Sequence, residues 1–163
     1  MSEIQRVSIN YDTPDEISKN LRLVYYDSAK TKIELFATNT EKVNGRQEIT
    51  RLKDSLRVNF YDKSGKKIST LFALYGEIND LKNMVYVKDS VRFYNFDKKQ
   101  LLETEALYWN RSDSSIYTEG QVIVKSPDGL ALGTGFKTKQ DFGKYTILKP
   151  QGQILVKDSK KEN

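Results

Sequence analysis

From residue 21 onward the chain alternates apolar and polar positions in short runs, and polar turns interrupt it every ten residues or so. A period of two is the signature of half-buried antiparallel strands, and no long stretch carries the 3.6-residue period of an amphipathic helix. Residues 21–26 and 32–37 flank Asp27-Ser28-Ala29-Lys30 as the arms of a hairpin. Residues 56–61 alternate cleanly into Asp62-Lys63-Ser64-Gly65, and 68–78 return as the second arm. A polar connection at 79–83 leads to a strand at 84–87, and further turns fall at 95–99, 110–114, 126–129 and 139–143. The last predicted strand is 152–157. Between the first two hairpins, 38–45 reads as a turn and 47–52 as a short strand. Near the start, Thr13-Pro14-Asp15-Glu16 has the order of an N-cap, a first-turn proline and a capping glutamate, which predicts a helical turn over 14–19. The expectation is an all-β domain in which successive hairpins build one open, folded-over antiparallel sheet.

The pattern also repeats. Moved by 31 positions, Leu71, Ala73, Val85, Val87, Val91 and Phe93 fall on Leu102, Thr104, Ile116, Thr118, Val122 and Val124, and Ile116 falls on Ile147. Upstream, Tyr26-Asp27 followed by Leu35-Phe36-Ala37 echoes Tyr61-Asp62 followed by Leu71-Phe72-Ala73 in a longer register. A unit of this size buries its apolar face only against its neighbours, so equivalent positions should share one interior. The inward candidates are Leu56, Val58, Phe60, Leu71, Ala73, Val85, Val87, Val91, Phe93, Leu102, Thr104, Leu107, Trp109, Ile116, Val122, Val124 and Ile147.

Composition narrows the function classes. The chain has 163 residues, enough for one domain with a real core, and 30% are charged, yet it holds 10 Tyr and 7 Phe. Strands with one wet and one apolar face suit that mixture; disordered segments are poor in aromatics. The net charge of +5 is spread along the chain, which describes a solvated sheet surface better than a nucleic-acid stripe. There is no Cys and no His, which removes disulfides, thiolate nucleophiles, zinc-finger spacings and Ser/His or Cys/His triads. No run approaches the roughly 18 apolar residues of a membrane span, and the first residues lack a signal-peptide core. The domain is therefore expected over 21–157, after a polar segment at 1–20 and before a charged tail at 158–163.

Little in the inventory supports catalysis. Glu103 and Glu105 share a strand face about 7 Å apart, within reach of glycosidase geometry, but alternation puts that face opposite Leu102 and Thr104, toward solvent. Gly133-Thr134-Gly135-Phe136 lacks the helix and the Lys-Ser/Thr of a phosphate loop, so its glycines fit bulges or a close backbone approach. Arg92, Tyr94, Lys98 and Lys99 interleave charge with aromatics, as base-stacking surfaces do and as ordinary cross-strand pairs do more often. Three alternatives to a sheet holding alkyl chains in an apolar lumen remain on the residues alone. They are a structural or adhesive β-repeat module with a filled core, a glycan-processing enzyme with Glu103 or Glu105 in a cleft, and a nucleic-acid binder.

The order of motifs in the second half resembles the LptC family of lipopolysaccharide-export proteins. It is carried by Ser69-Thr70-Leu71-Phe72-Ala73-Leu74-Tyr75-Gly76, Thr104-Glu105-Ala106-Leu107-Tyr108-Trp109, Ile116-Tyr117-Thr118 and Val122-Ile123-Val124. Pro127-Asp128-Gly129, Gly133-Thr134-Gly135-Phe136, Asp141-Phe142, Tyr145-Thr146-Ile147 and Pro150-Gln151-Gly152 complete it. The resemblance covers about 21–156 and is specific from Ser69; Leu74 and Asn110 stand where the family pattern has acidic residues. It implies a single β-jellyroll without enzymatic activity or cofactor, in the periplasm and held to the inner membrane by an N-terminal helix or lipid absent from this sequence. It implies lipopolysaccharide as cargo, received from an LptB/LptF/LptG-type complex and passed to an LptA-like bridge protein. On that reading the lumen residues, all the inward candidates except Leu56 and Val87, would contact acyl chains. The edge Gln153, Ile154, Leu155 and Val156 would meet the acceptor, and the strands at 21–26 and 33–37 would face the membrane donor.

Overall fold

A computed structural model describes residues 16–27, 29–44 and 48–155. Among them the chain is entirely strand and turn: β1 (Glu16–Tyr26), β2 (Lys32–Asn44), β3 (Glu48–Tyr61), β4 (Lys67–Ala73), β5 (Tyr75–Asn79), β6 (Met84–Asn95), β7 (Gln100–Asn110), β8 (Ser115–Ser126), β9 (Gly129–Lys139) and β10 (Tyr145–Leu155). They form one antiparallel sheet in the order β1-β2-β3-β4-β6-β7-β8-β9-β10, and β5 bridges β3 and β6. Chain order and sheet order coincide, as a string of hairpins requires.

A sheet of this width must bury one face, and it does so by folding on itself. Each long strand is interrupted near its middle, the short β4 and β5 are parted at the same level, and the interruptions line up from strand to strand. Asn20 of β1 lies opposite Thr38 of β2, which faces Asp54 and Ser55 of β3. The line then crosses Leu74, where the chain breaks between β4 and β5; the Ser55 amide donates to the Leu74 carbonyl and the Leu74 amide to that of Asp89, each at 3.0 Å. It continues through Asp89 and Ser90 of β6, Glu105 of β7, Glu119 and Gly120 of β8, and Gly135 of β9 opposite Leu148 of β10. Asn20, Asp54, Ser55, Asp89, Ser90 and Gly135 all have positive φ, between 53° and 88°. One left-handed or extra residue bends a strand and sharpens its twist, and Asn, Asp and Gly tolerate that conformation best. In β2, β7 and β9 the extra residue also flips the inward parity, so Ala37 is followed inside by Thr40, Thr104 by Leu107 and Gly133 by Phe136.

This crease divides the sheet into two leaves. The upper leaf holds 21–26, 32–37, 56–61, β4, 91–95, 100–104, 121–126, 129–134 and 149–155; the lower leaf holds the remainder of each strand together with β5. Their inner faces meet in one apolar cluster that runs from Ile33 and Leu35 of β2 to Phe136 of β9. The 31-residue repeat now has a cause: one hairpin advances the chain by two strands and returns it to the same leaf. Lys66 meets Asp97, Asp80 meets Arg111 and Trp109 meets Gln140 at that separation.

Three expectations are corrected. Residues 16–19 are strand, because the ladder from Glu16↔Lys42 to Lys19↔Asn39 satisfies their backbone where a lone helical turn would leave it open; residues 14 and 15 lie outside the described residues. The sheet thus begins at Glu16, earlier than residue 21. Residues 38–44 are the lower half of β2, paired with β3, and not a turn. Residues 68–78 are two strands split at the crease. The expected end of the last strand, Val156 and Lys157, also lies outside the described residues.

The crease makes a testable demand on Ser90, whose φ is 54° and whose side chain is exposed. Ser90→Gly should leave stability within a few tenths of a kcal/mol of the parent, whereas Ser90→Val should lower it by roughly 1–2 kcal/mol through the clash of a β-branched side chain in the left-handed region. Urea denaturation of the two variants checks the difference.

Candidate functional site

The interior gathers apolar side chains from nearly every strand. Val58, Phe60, Leu71, Ala73, Val85, Val91, Phe93, Leu102, Leu107, Trp109, Ile116, Val122 and Val124 are brought together there, none more than 2% exposed. Thr104 is buried beside them at the crease, its hydroxyl donating to the Gln121 carbonyl at 2.8 Å. Ile147 is half-buried and packs on the cluster's rim. Ile33, Leu35, Ala37, Leu52, Ile78, Phe136 and Phe142 complete the cluster, in addition to the inward candidates. The alternation of Ile33, Leu35 and Ala37 was a sufficient signal for β2; Phe142 stands in a turn and has no periodicity to betray it.

The interior is graded. Near the crease it is aliphatic, with Leu56, Val91 and Leu107. Toward the opposite side, where the free ends of the leaves approach each other, it becomes aromatic. Trp109 packs edge-on to Phe60 at 5.2 Å, Phe60 to Phe93 at 6.0 Å, and Phe93 stacks on Phe142 at 4.9 Å with planes 10° apart. Phe142 in turn meets Phe136 and Tyr145, both at 5.8 Å.

Along that open side, the last inward rung of the upper leaf is polar. Ser69, Asn95 and Gln100 are neighbours across β4, β6 and β7, all buried. Their partners are the backbone carbonyls of the loop joining β9 to β10 in the lower leaf. Ser69 Oγ donates to the carbonyl of Gln140 (2.6 Å), Asn95 Nδ2 to that of Asp141 (2.7 Å), Gln100 Nε2 to that of Phe142 (2.7 Å) and Lys98 Nζ to that of Gly143 (2.6 Å). The Gln140 side chain accepts from Trp109 Nε1 at 2.8 Å and donates to Asp27 at 3.3 Å. Burial opposes ionisation of Asp27, but donors from the Thr31 hydroxyl and amide, the Ala29 amide and Gln140 outweigh it and lower its pKa. A second contact spans the same gap, with the Arg111 guanidinium 5.1 Å from the Tyr25 ring. The two leaves are closed on each other along this side, and the apolar interior is filled by the protein's own side chains.

The carboxylate pair is not a catalytic cleft. Glu103 points outward and is bridged to Lys125 at 3.0 Å, and Glu105 is exposed on the crease; both border a shallow solvent-open groove with Arg92 and Gln121. Arg92, Tyr94, Lys98 and Lys99 do not form a stacking stripe: Arg92, Lys98 and Lys99 are exposed, and Tyr94 is half-buried edge-on to Phe96.

Among the described residues, the strands at both ends of the sheet are paired on one side only. β10 is exposed throughout except at Ile147. Gln153, Ile154 and Leu155 pair with Ala131, Leu130 and Gly129, leaving the other edge of β10 without a strand among the described residues; Val156 lies outside them. The family-like glycines have a role here. A Cβ at Gly129, where φ is 145°, would come 2.0 Å from the Ile154 carbonyl oxygen, and one at Gly133 would come 2.2 Å from Ile147, so only glycine lets β10 lie this close. At the other end β1 is tied down electrostatically. Glu34 of β2 accepts from Tyr61 OH at 2.5 Å and Arg22 at 2.6 Å and is only 8% exposed. The Tyr61 hydrogen bond above all, then that from Arg22, takes its pKa from 4.5 to about 2.

An antiparallel sheet folded once on an apolar interior, with its two edge strands unpaired on their outer sides among the described residues, is an open β-jellyroll. The family model described as "Lipopolysaccharide-assembly, LptC-related" matches residues 2–152, and the chain belongs to the LptC family. Membership assigns it to lipopolysaccharide transport. No curated protein matches it. Among the described residues no helix is long and apolar enough to cross a membrane.

The Glu34 cluster sets an acid dependence. Its folded pKa lies below the unfolded value, so its stabilisation is fully present above pH 4.5 and is lost as the pH falls toward 2. Glu34→Gln should destabilise the domain by about 1–2 kcal/mol at neutral pH. Its unfolding free energy should converge on the parent's near the acid end of that window, a trend that thermal melts across pH measure.

Proposed function

We propose that the domain is a non-enzymatic conduit for lipopolysaccharide. It stands in the periplasm, tethered to the inner membrane through an N-terminal segment, takes its cargo from an LptB/LptF/LptG-type extractor and passes it to an LptA-like bridge. The observation that carries this reading is the apolar cluster running from β2 to β9 between two sheet edges that have no partner strand among the described residues. At about 0.8 kcal/mol per buried CH₂, an acyl chain of a dozen carbons gains on the order of 10 kcal/mol by leaving water. A lipid with several such chains does not diffuse freely across an aqueous space and needs a continuous apolar path. The filled interior also suits the structural-module alternative; the family match favours transport, and a fold hinged on a crease can part its leaves.

The direction of transfer follows the edges. Exposed edges recruit strands unless blunted, and β10 offers a long one with exposed Ile154 and Leu155. The C-terminal edge is assigned to the acceptor and β1 with β2 to the donor.

Two measurements test the reading. A photo-crosslinking residue at Phe93 or Leu107 should capture lipopolysaccharide in cells, whereas one at Glu103 on the outer face should not; equal labelling at all three positions would show surface adsorption. Leu155→Pro, which removes a backbone donor from the edge strand, should weaken pull-down of the acceptor at least several-fold while the fold stays intact. Loss of donor binding with the acceptor retained would reverse the polarity.

A further inference from the structure

The loop between β9 and β10 is held in an unusual way. Four consecutive backbone carbonyls, from Gln140 to Gly143, each accept a hydrogen bond from a side chain of the opposite leaf or its hairpin tip. None of these bonds belongs to a sheet ladder. Phe142, with φ of 54° and no exposed surface, drives its ring from this loop into the aromatic side of the interior, face to face with Phe93. Ladders fix every other side chain of that aromatic row on a strand, so moving Phe60, Phe93, Trp109 or Phe136 would break sheet pairing. Phe142 stands outside the ladders: beyond the turn bond from its own amide to the Lys139 carbonyl (2.8 Å) and that from the Gln140 amide to the Ser114 carbonyl (3.1 Å), it is held by side-chain hydrogen bonds that water can replace.

We infer that the space occupied by Phe142 is an acyl-chain subsite, and that residues 140–143 are a clasp which shuts the two leaves when no lipid is present and withdraws when a chain enters. The inference rests on the conduit reading above and names where on the chain the lipid gains entry. The ligand is a saturated hydrocarbon chain of a lipid A type molecule, lying against Phe93 and Phe136 with its polar head at the lip. The lip itself presents Lys98 and Lys144 to that head, both exposed. Ser69, Asn95 and Gln100 are positioning residues in this scheme, because they bind backbone and hold the loop irrespective of its side chains.

The test uses the full chain with cysteines at Asp27 and Gln140, whose side chains touch across the gap in a protein that has no cysteine of its own. A short, reducible bis-methanethiosulfonate bridge between them ties the clasp shut, with its formation read from the intact mass. Binding of fluorescent lipid A should fall at least tenfold in the bridged form and return when the same sample is reduced. Equal binding before and after reduction overturns the clasp and leaves the conduit reading standing. The unaltered chain gives a second readout, since its one tryptophan donates to Gln140. The Trp109 indole N–H resonance should move on loading with lipid A, and an unmoved signal with lipid bound overturns the clasp. If the unaltered chain takes up no lipid A, the conduit reading falls and the clasp falls with it.

Discussion

Everything in this molecule depends on the crease. A flat sheet of hairpins exposes one apolar face, and this chain has no helix among its described residues with which to cover it. The only remaining cover is the sheet itself. Folding it demands that each strand bend at the same level, and the hydrogen-bond registers transmit that level from β1 to β10. The bend is built from one or two residues per strand, chiefly Asn, Asp and Gly, which adopt the left-handed conformation at least cost, with Ser55 and Ser90 beside an Asp. Side-chain bonds along the line, such as Asn39 to Asp54 at 2.5 Å, replace ladder bonds that the bend removes. The interior, its gradation from aliphatic to aromatic, and the closed lip opposite all follow from where the bends fall.

The same geometry explains why polar residues sit on the innermost rung at the lip. Ser69, Asn95 and Gln100 occupy positions where the inward alternation calls for apolar side chains. Buried polar groups are costly unless satisfied, so their presence needs a partner of fixed position. The loop carbonyls are that partner. An apolar rung would have given a tighter core and a permanently sealed one, because no exchange with water would then offset parting the leaves.

Alternation and the 31-residue period made most of the strands and most of the interior legible. Leu71, Leu102 and Val124 are inside for the reason their spacing implied. The crease was hidden because a bend is only one or two residues long and has no period. Its trace was nevertheless in the chain: Lys53-Asp54-Ser55-Leu56 and Lys88-Asp89-Ser90-Val91 repeat the same polar step in the middle of an apolar strand, and both are bends. The short helix expected from Thr13-Pro14-Asp15-Glu16 lost to the β2 ladder, a tertiary partner that no local signal announces. Phe142 was legible as a turn residue only, since its burial comes from a leaf some forty residues away in sequence.

A closed conduit must be closed weakly. A buried Phe side chain contributes about 1.5–3 kcal/mol, and a hydrogen bond exchanged with water contributes about 1 kcal/mol net. The ring and the four carbonyl contacts therefore contribute roughly 5.5–7 kcal/mol to closing the lip. An acyl chain of a dozen carbons brings on the order of 10 kcal/mol. The exchange favours the lipid by a few kcal/mol, so a loaded trough is stable enough to carry cargo and shallow enough to release it to the next apolar surface. A clasp made of ladder bonds or of several aromatic anchors would exceed the lipid's contribution and keep the trough shut. Without any clasp, the aromatic row from Trp109 to Phe136 would face water and invite aggregation. The side chain-to-backbone clasp lies between those limits, and the crease is what lets its release at one edge part the leaves without breaking a strand.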